Sequence, residues 1–200
     1  MIERGPAREC EMILAFLKAE ADSPRWANHH LLPRLSQTEF SRSQLIEQAD
    51  LADNRQNAVR RAILRAYRGF GANDALFRGF PDDVTWRRVE IEPTDHGRLR
   101  YANAPPWMQL SDGTRLVARL AGKLLSGAIP PDPANYVKGI QSALVAGEKL
   151  PELIAGEGSE SSLILIEGHC RATAYVGLEW KENIPIFLGS SSNMCGWEFY

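Results

Sequence analysis

Cysteine, one-sided charge and long apolar runs are all scarce in this chain, and each scarcity removes a class of protein. Its 200 residues hold three cysteines, Cys10, Cys170 and Cys195. No Cys-x-x-Cys occurs and no histidine stands at zinc-ligand spacing from them, which excludes a disulfide-built scaffold and a zinc module. The net charge of -2 lacks the basic surplus of a protein that coats nucleic acid. The first eighty residues are slightly basic and the rest acidic, and neither imbalance names a partner. No apolar run, Leu163-Ile164-Leu165-Ile166 included, approaches the roughly 20 residues of a bilayer span. The opening Met1-Ile2-Glu3-Arg4-Gly5-Pro6 lacks the basic-then-apolar order of a secretion signal. The expectation is a cytoplasmic protein without a membrane partner.

What is present divides near residue 80. The spacing of Met12, Ile13, Phe16 and Leu17 predicts an amphipathic helix over 7–21, ended by Asp22-Ser23-Pro24. After a broken stretch to about residue 37, Ser41 or Ser43 caps a short helix through Gln48. Asp53 or Asn54 caps a longer helix through Arg68, stopped by Gly69 and Gly71. Val59, Ile63 and Ala66 form one side of that helix, and Arg60, Arg61, Arg65 and Arg68 crowd another. From Phe80 the texture changes. Val84–Ile91 carries β-branched and aromatic residues at strand spacing, and Leu99-Arg100-Tyr101 reads as a second extended piece. Ser111–Arg115 leads into a helix with Leu116, Val117, Leu120 and Leu124. Ile129–Pro133 reads as a rigid connector, followed by a helix from Asn135 to Ala146. Leu150–Ile154, Leu163–Ile166 and Ile184–Leu188 read as strands, with a turn over 156–162 and a helix over Arg171–Gly177. The fold class is α+β: a helical region over 1–80, then a small mixed-sheet domain over 81–200.

The chemistry concentrates at Glu167-Gly168-His169-Cys170-Arg171, where the most apolar of these strands opens into a helix. Such a junction offers backbone N–H groups and the positive end of the helix dipole, both attractive to phosphate. Gly168 permits close backbone approach. Arg171 can hold a phosphate through two parallel bonds, with His169 as a second donor. Glu167 is placed to take a proton or to hold magnesium. Cys170, a thiol at a helix start beside an arginine, is expected to be acidified and reactive.

The segment from about Asp132 to Leu188 resembles the ParB/sulfiredoxin fold. It repeats that superfamily's order of a helix, a glycine and a Pro-bearing strand (Gly147 to Ile154), a turn, an apolar strand, a Gly-x-x-Arg helix start and a closing strand. Partition proteins of that superfamily carry Gly-Glu-Arg-Arg and bind CTP, and sulfiredoxins carry Gly-Cys-His-Arg. Glu167–Arg171 is closest to the Asp-Gly-His-His-Arg of ParB-like free serine kinases, with Glu for Asp and Cys for the second His. The resemblance implies a mixed α/β domain that binds ATP or another nucleoside triphosphate with magnesium. It implies Gly168, His169, Cys170 and Arg171 as nucleotide-binding residues, and Glu167, His169 and Cys170 as catalytic candidates. Lys138 and Ser142 enter through a looser similarity of Asp132–Lys138 to a sulfiredoxin Asp-Pro-x-Lys stretch. The implied activity is phosphotransfer or triphosphate hydrolysis. The alternative is a non-catalytic, nucleotide-responsive regulator whose residues 1–80 contact DNA or a protein.

Plainer readings stand beside these. Gly168 and Arg171 also suit a tight turn and a structural ion pair, and His169 suits a helix-start hydrogen bond. Thr114 and Arg115 are either a second anion-binding edge facing the first or part of an ordinary helix start. The four arginines of the 53–68 helix read as a solvated face, since no aromatic residues interleave them as stacking platforms. His29-His30 reads as surface, Trp86, Trp107 and Trp197 as packing residues, and Asp95-His96-Gly97 as a turn without chemistry.

Overall fold

A computed structural model describes residues 1–21, 23 and 31–200; His29-His30 lies outside the described residues. The chain runs β1 (Ile2–Ala7), α1 (Glu9–Ala21), α2 (Leu32–Leu35), a one-turn π-helix (Ser43–Glu47) and α3 (Asn54–Arg68). It continues through β2 (Thr85–Ile91), β3 (Leu99–Arg100), α4 (Pro105–Leu110), α5 (Val117–Leu125) and α6 (Pro131–Val145). The last elements are β4 (Leu153–Glu157), β5 (Leu163–Glu167), α7 (His169–Gly177) and β6 (Ile184–Ser190). The strands of the described residues form one mixed sheet ordered β1-β2-β6-β4-β5-β3, with β4/β6 and β3/β5 parallel and the other pairs antiparallel. The architecture is α+β.

Alternation along the strands sends side chains to two opposite faces, and both faces are covered. Ile154, Ile164, Ile166 and Phe187 join Met12, Phe16, Ile63 and Leu64 in one core, so α1 and α3 lie on that face. Leu153, Leu163, Leu165 and Leu188 join Val117, Leu120, Val137 and Ala172 in a second core, which puts α5, α6 and α7 on the other. Burial on both faces is why β5 reads Leu-Ile-Leu-Ile instead of alternating with polar residues. Each such side chain contributes roughly 1.5–3 kcal/mol when fully buried.

Local chemistry sets the helix ends. Asp53 caps α3, its Oδ1 accepting from the Arg55 and Gln56 N–H groups at 2.8 and 3.2 Å, and Gly69 ends it in the left-handed region at φ 84°. Ser41 and Gln44 form a reciprocal pair before the π-turn, Gln44 N–H to Ser41 Oγ at 3.2 Å and Ser41 N–H to Gln44 Oε1 at 2.9 Å.

Several expectations need correction. The connector before α6 is shorter than expected, because the helix begins at Pro131 and takes in Asp132 and Pro133. Proline is tolerated there because first-turn N–H groups have no intrahelical acceptor. Strand β4 starts at Leu153, three residues later than expected. Residues 2–7, to which no element was assigned, form an edge strand on β2, bulged between Glu3 and Gly5. Its Gly and Pro conceal it in sequence, and an edge position accepts both. Helix α4, also unassigned, starts on Pro105-Pro106.

The solvated-face reading of the α3 arginines fits the exposed Arg61 and Arg65 and fails most sharply at Arg60. Arg60 has no exposed surface. Its guanidinium donates to the Asp50 carbonyl at 2.8 Å and Asn57 Oδ1 at 2.6 Å, with longer bonds to the Leu45 carbonyl and Gln56 Oε1. Arg61 pairs with Glu9, Arg65 donates to the Gly71 carbonyl at 2.6 Å, and Arg68 pairs with Glu20. These side chains tie α3 to its surroundings.

Candidate functional site

The β5–α7 junction forms as its sequence requires. Gly168 takes φ 92°, a conformation disfavoured for L-residues, and lets the chain turn from Glu167 straight into the helix. The first helical bond runs from Ala172 N–H to the Gly168 carbonyl at 2.8 Å. His169, Cys170 and Arg171 form the opening turn. They line a cleft of about 250 Å³, together with Glu167 and Gly168.

The rest of that cleft comes from distant parts of the chain. Helix α1 contributes Phe16 and Glu20, α3 contributes Arg68, α4 contributes Trp107, and α6 contributes Tyr136 and Ile140. Trp107 lies parallel to His169 at 4.7 Å between ring centroids and to Tyr101 at 4.9 Å. The buried Tyr101 hydroxyl bonds Thr173 Oγ1 at 2.6 Å, and the Thr173 hydroxyl donates to the His169 carbonyl at 2.8 Å. Burial pushes the Tyr101 phenol far up, keeping it neutral. His169 is thus held flat against an aromatic wall. Trp107 belongs to the cleft and is only partly buried, unlike Trp86 and Trp197, which are core residues as expected.

Two guanidinium–carboxylate pairs face into the same space. Arg171 pairs with Glu167, and its Nη2 approaches the Glu152 carbonyl at 3.5 Å. Its Nε is buried and has no hydrogen-bond partner, in a residue only 9% exposed. Arg68 pairs with Glu20, which also accepts from the Tyr67 hydroxyl at 2.7 Å. Glu20 is 3% exposed, and burial raises its pKa against the opposing pull of Arg68, with the Glu167 charge adding to the rise.

That direction has a consequence for stability. A carboxyl whose folded pKa lies above its unfolded one binds its proton more tightly in the folded state, so its contribution to stability falls as pH rises above the unfolded pKa. The difference in stability between wild type and Glu20→Gln should therefore depend on pH, whatever the loss of the Arg68 ion pair costs the variant. Wild type should gain on the variant as pH falls from 7 toward 5, measured by urea unfolding at both values. A gap that widens in favour of wild type with rising pH would contradict it.

Other residues singled out from sequence lie elsewhere. Lys138 and Ser142 are exposed on α6, Ser142 Oγ donating to the Lys138 carbonyl at 3.1 Å, and neither lines the cleft. Thr114 and Arg115 border a separate depression of about 230 Å³ beside β3 and β5. Arg115 donates to the carbonyls of Tyr101 and Tyr200 at 2.8 Å and of Phe199 at 3.3 Å, which pins the end of the chain. Thr114 Oγ1 donates to the Ser111 carbonyl at 2.7 Å, and Ser111 closes α4 where it was expected to open α5. Among the described residues no three His, Cys, Asp or Glu side chains gather as a metal site, and Glu167 is engaged by Arg171. Glu20, Arg68, Trp107 and Tyr136 were not singled out for the site; a buried-side Glu in α1 and the last-turn Arg of α3 were the available signals.

Fold and cleft together define an α+β protein whose charged pocket sits at the carboxyl end of β5, an inner strand next to edge strand β3, walled by helices from both faces of the sheet. No family model, curated protein or solved structure matches the chain. Among the described residues no helix is long and apolar enough to cross a membrane.

Proposed function

We propose that the cleft binds the phosphate chain of a nucleoside triphosphate and supports its transfer or hydrolysis, in keeping with the resemblance of this region to the ParB/sulfiredoxin fold. The observation that carries this reading is the meeting of Gly168, the opening turn of α7 and two arginines in one pocket. A helix start supplies backbone donors and a favourable dipole, and Arg supplies a forked, permanently charged donor. The buried Nε of Arg171 has no hydrogen-bond partner, so the guanidinium keeps an unmet donor beside the cleft. The volume is slightly below the roughly 300–1,000 Å³ of sites that enclose a drug-sized ligand, and suits the phosphate end of a nucleotide with its base at the mouth. The stacked Trp107–His169 wall offers an apolar border to that mouth. Phosphoryl transfer demands mainly positioning and charge neutralisation, which these groups offer without covalent chemistry by the protein. Cys170 lines the pocket, and nothing in this reading requires its thiol.

The regulatory alternative keeps the same pocket and drops turnover. Its DNA version would draw on the exposed Arg61 and Arg65 of α3, since Arg60 has no exposed surface.

Thermal unfolding with ATP, CTP or GTP, each with and without magnesium, tests the reading. A nucleotide at about 100 times its dissociation constant should stabilise wild type by roughly 2.7 kcal/mol. The shift should vanish in Arg171→Ala, and phosphate release measured on the same samples separates hydrolysis from silent binding. Absence of any nucleotide-dependent shift in wild type would overturn it.

A further inference from the structure

The Arg68–Glu20 pair is an unusual element for a fold to keep. It joins the ends of α1 and α3, far in sequence from the β5–α7 junction, yet opens onto the same cleft. Taking a carboxylate out of water is costly, and replacing a buried ion pair by apolar residues is often neutral or stabilising. Retention of two such pairs around one pocket points to use of the guanidiniums there. The pairs are also unequal. Glu20 is 3% exposed, whereas the Glu167 side chain retains 18%.

We propose that Arg68 is the second phosphate-binding residue of the cleft, held by Glu20 while the pocket is empty, and that Glu20 takes up a proton from solvent when Arg68 turns to the ligand. This rests on the nucleotide-binding reading above and deepens it. Arg171 meets the phosphate chain from α7 and Arg68 meets it from α3, so the helical first third supplies half of the binding charge. Once Arg68 leaves, Glu20 faces an anionic ligand, the Glu167 carboxylate and a largely dry wall, and only its neutral form is tolerable there. Its Tyr67 neighbour can still hydrogen-bond a neutral carboxyl. No bond other than the O–H of Glu20 is made or broken.

Among the described residues, the other charged or titratable groups lining the cleft are Arg171, Glu167, His169, Cys170 and Tyr136. The test must separate Glu20 from them. ATP binding is measured by calorimetry in EDTA at pH 7, in two buffers of different ionisation enthalpy, so that proton uptake is read directly. Wild type, Arg68→Ala, Arg68→Lys, Glu20→Gln, His169→Gln and Arg171→Ala are compared, the ATP's own titration being common to all. Arg68→Ala is expected to weaken ATP at least tenfold. Arg68→Lys, which keeps the charge but loses the fork, should lie between it and wild type. Wild type should take up more protons per ATP than Glu20→Gln, and its affinity should rise more steeply as pH falls, with His169→Gln retaining the wild-type excess.

Should either Arg68 variant prove poorly folded, the doubly neutral Arg68→Gln/Glu20→Gln protein, which leaves neither charge of this pair unbalanced, replaces it. ATP binding that is lost in Arg171→Ala but undiminished in the Arg68 variants would overturn this inference and leave the nucleotide reading standing. Equal proton uptake by wild type and Glu20→Gln would overturn the exchange. No ATP binding by wild type in EDTA would overturn this inference, and the nucleotide reading would fall with it only if no nucleotide shifts wild type in the thermal assay with magnesium either.

Discussion

Arg60→Ala is expected to lower the stability of the fold by about 3–5 kcal/mol, the largest effect of any single substitution considered for this protein. Arg60 is wholly buried on α3, and among the described residues it has no carboxylate partner. Carbonyls and amide oxygens of Leu45, Asp50, Gln56 and Asn57 solvate its charge instead. Burial drives the guanidinium pKa down, opposed by the more distant Asp50 and Asp53. Truncation removes these charge-assisted bonds, strands the Leu45 and Asp50 carbonyls, and opens a cavity between α3 and the π-turn. For a chain of this size each kcal/mol moves the melting temperature by about 2–4 °C, so a fall of about 6–20 °C is expected. Arg60→Met should recover part of it by filling the cavity. Nucleotide affinity of the surviving folded protein should be unchanged, since Arg60 does not line the cleft. A loss under 1 kcal/mol would mean that Arg60 is a surface residue after all.

Gly168→Ala should act on both stability and binding. The φ of 92° costs an alanine about 1 kcal/mol or more. The added methyl would lie 2.5 Å from Leu153 Cδ2 and 3.1 Å from Arg171 Nη2. The leucine is fully buried in β4, and relieving such overpacking costs typically 1–3 kcal/mol. A total of about 2–4 kcal/mol is expected, read by urea unfolding. Because the same methyl crowds the Arg171 guanidinium and the backbone turn that the ligand must approach, the ATP-dependent thermal shift should shrink with it. Wild-type stability together with an unaltered shift would show that the turn tolerates a side chain and that its glycine is not needed for approach of a ligand.

The two substitutions mark how far sequence reasoning reached. Gly168 was legible: a continuous apolar run, a glycine and a polar helix start in direct succession define a strand, a turn and a helix by local rules alone. The Asp53 cap, the Gly69 stop and the two-face burial of β5 were legible for the same reason. Arg60 was not. Helical periodicity placed it among arginines on a polar side of α3, and only the packing of residues 45–50 against that side buries it. Edge strand β1 was hidden because Glu, Arg, Gly and Pro carry no strand propensity, and its pairing with β2 is settled more than eighty residues away.

The cleft divides along the same line. By itself the sequence determined the Gly168–Arg171 wall, since backbone donors, glycine geometry and neighbouring side chains follow from contiguous residues. Only the tertiary structure decided that Glu20, Arg68, Trp107 and Tyr136 stand around that wall, while Lys138, Ser142, Thr114 and Arg115 stand away from it. The physical reason is that helices from both faces of the sheet converge at the carboxyl end of β5, and which of their residues point inward depends on burial against a sheet whose strand order no local pattern encodes.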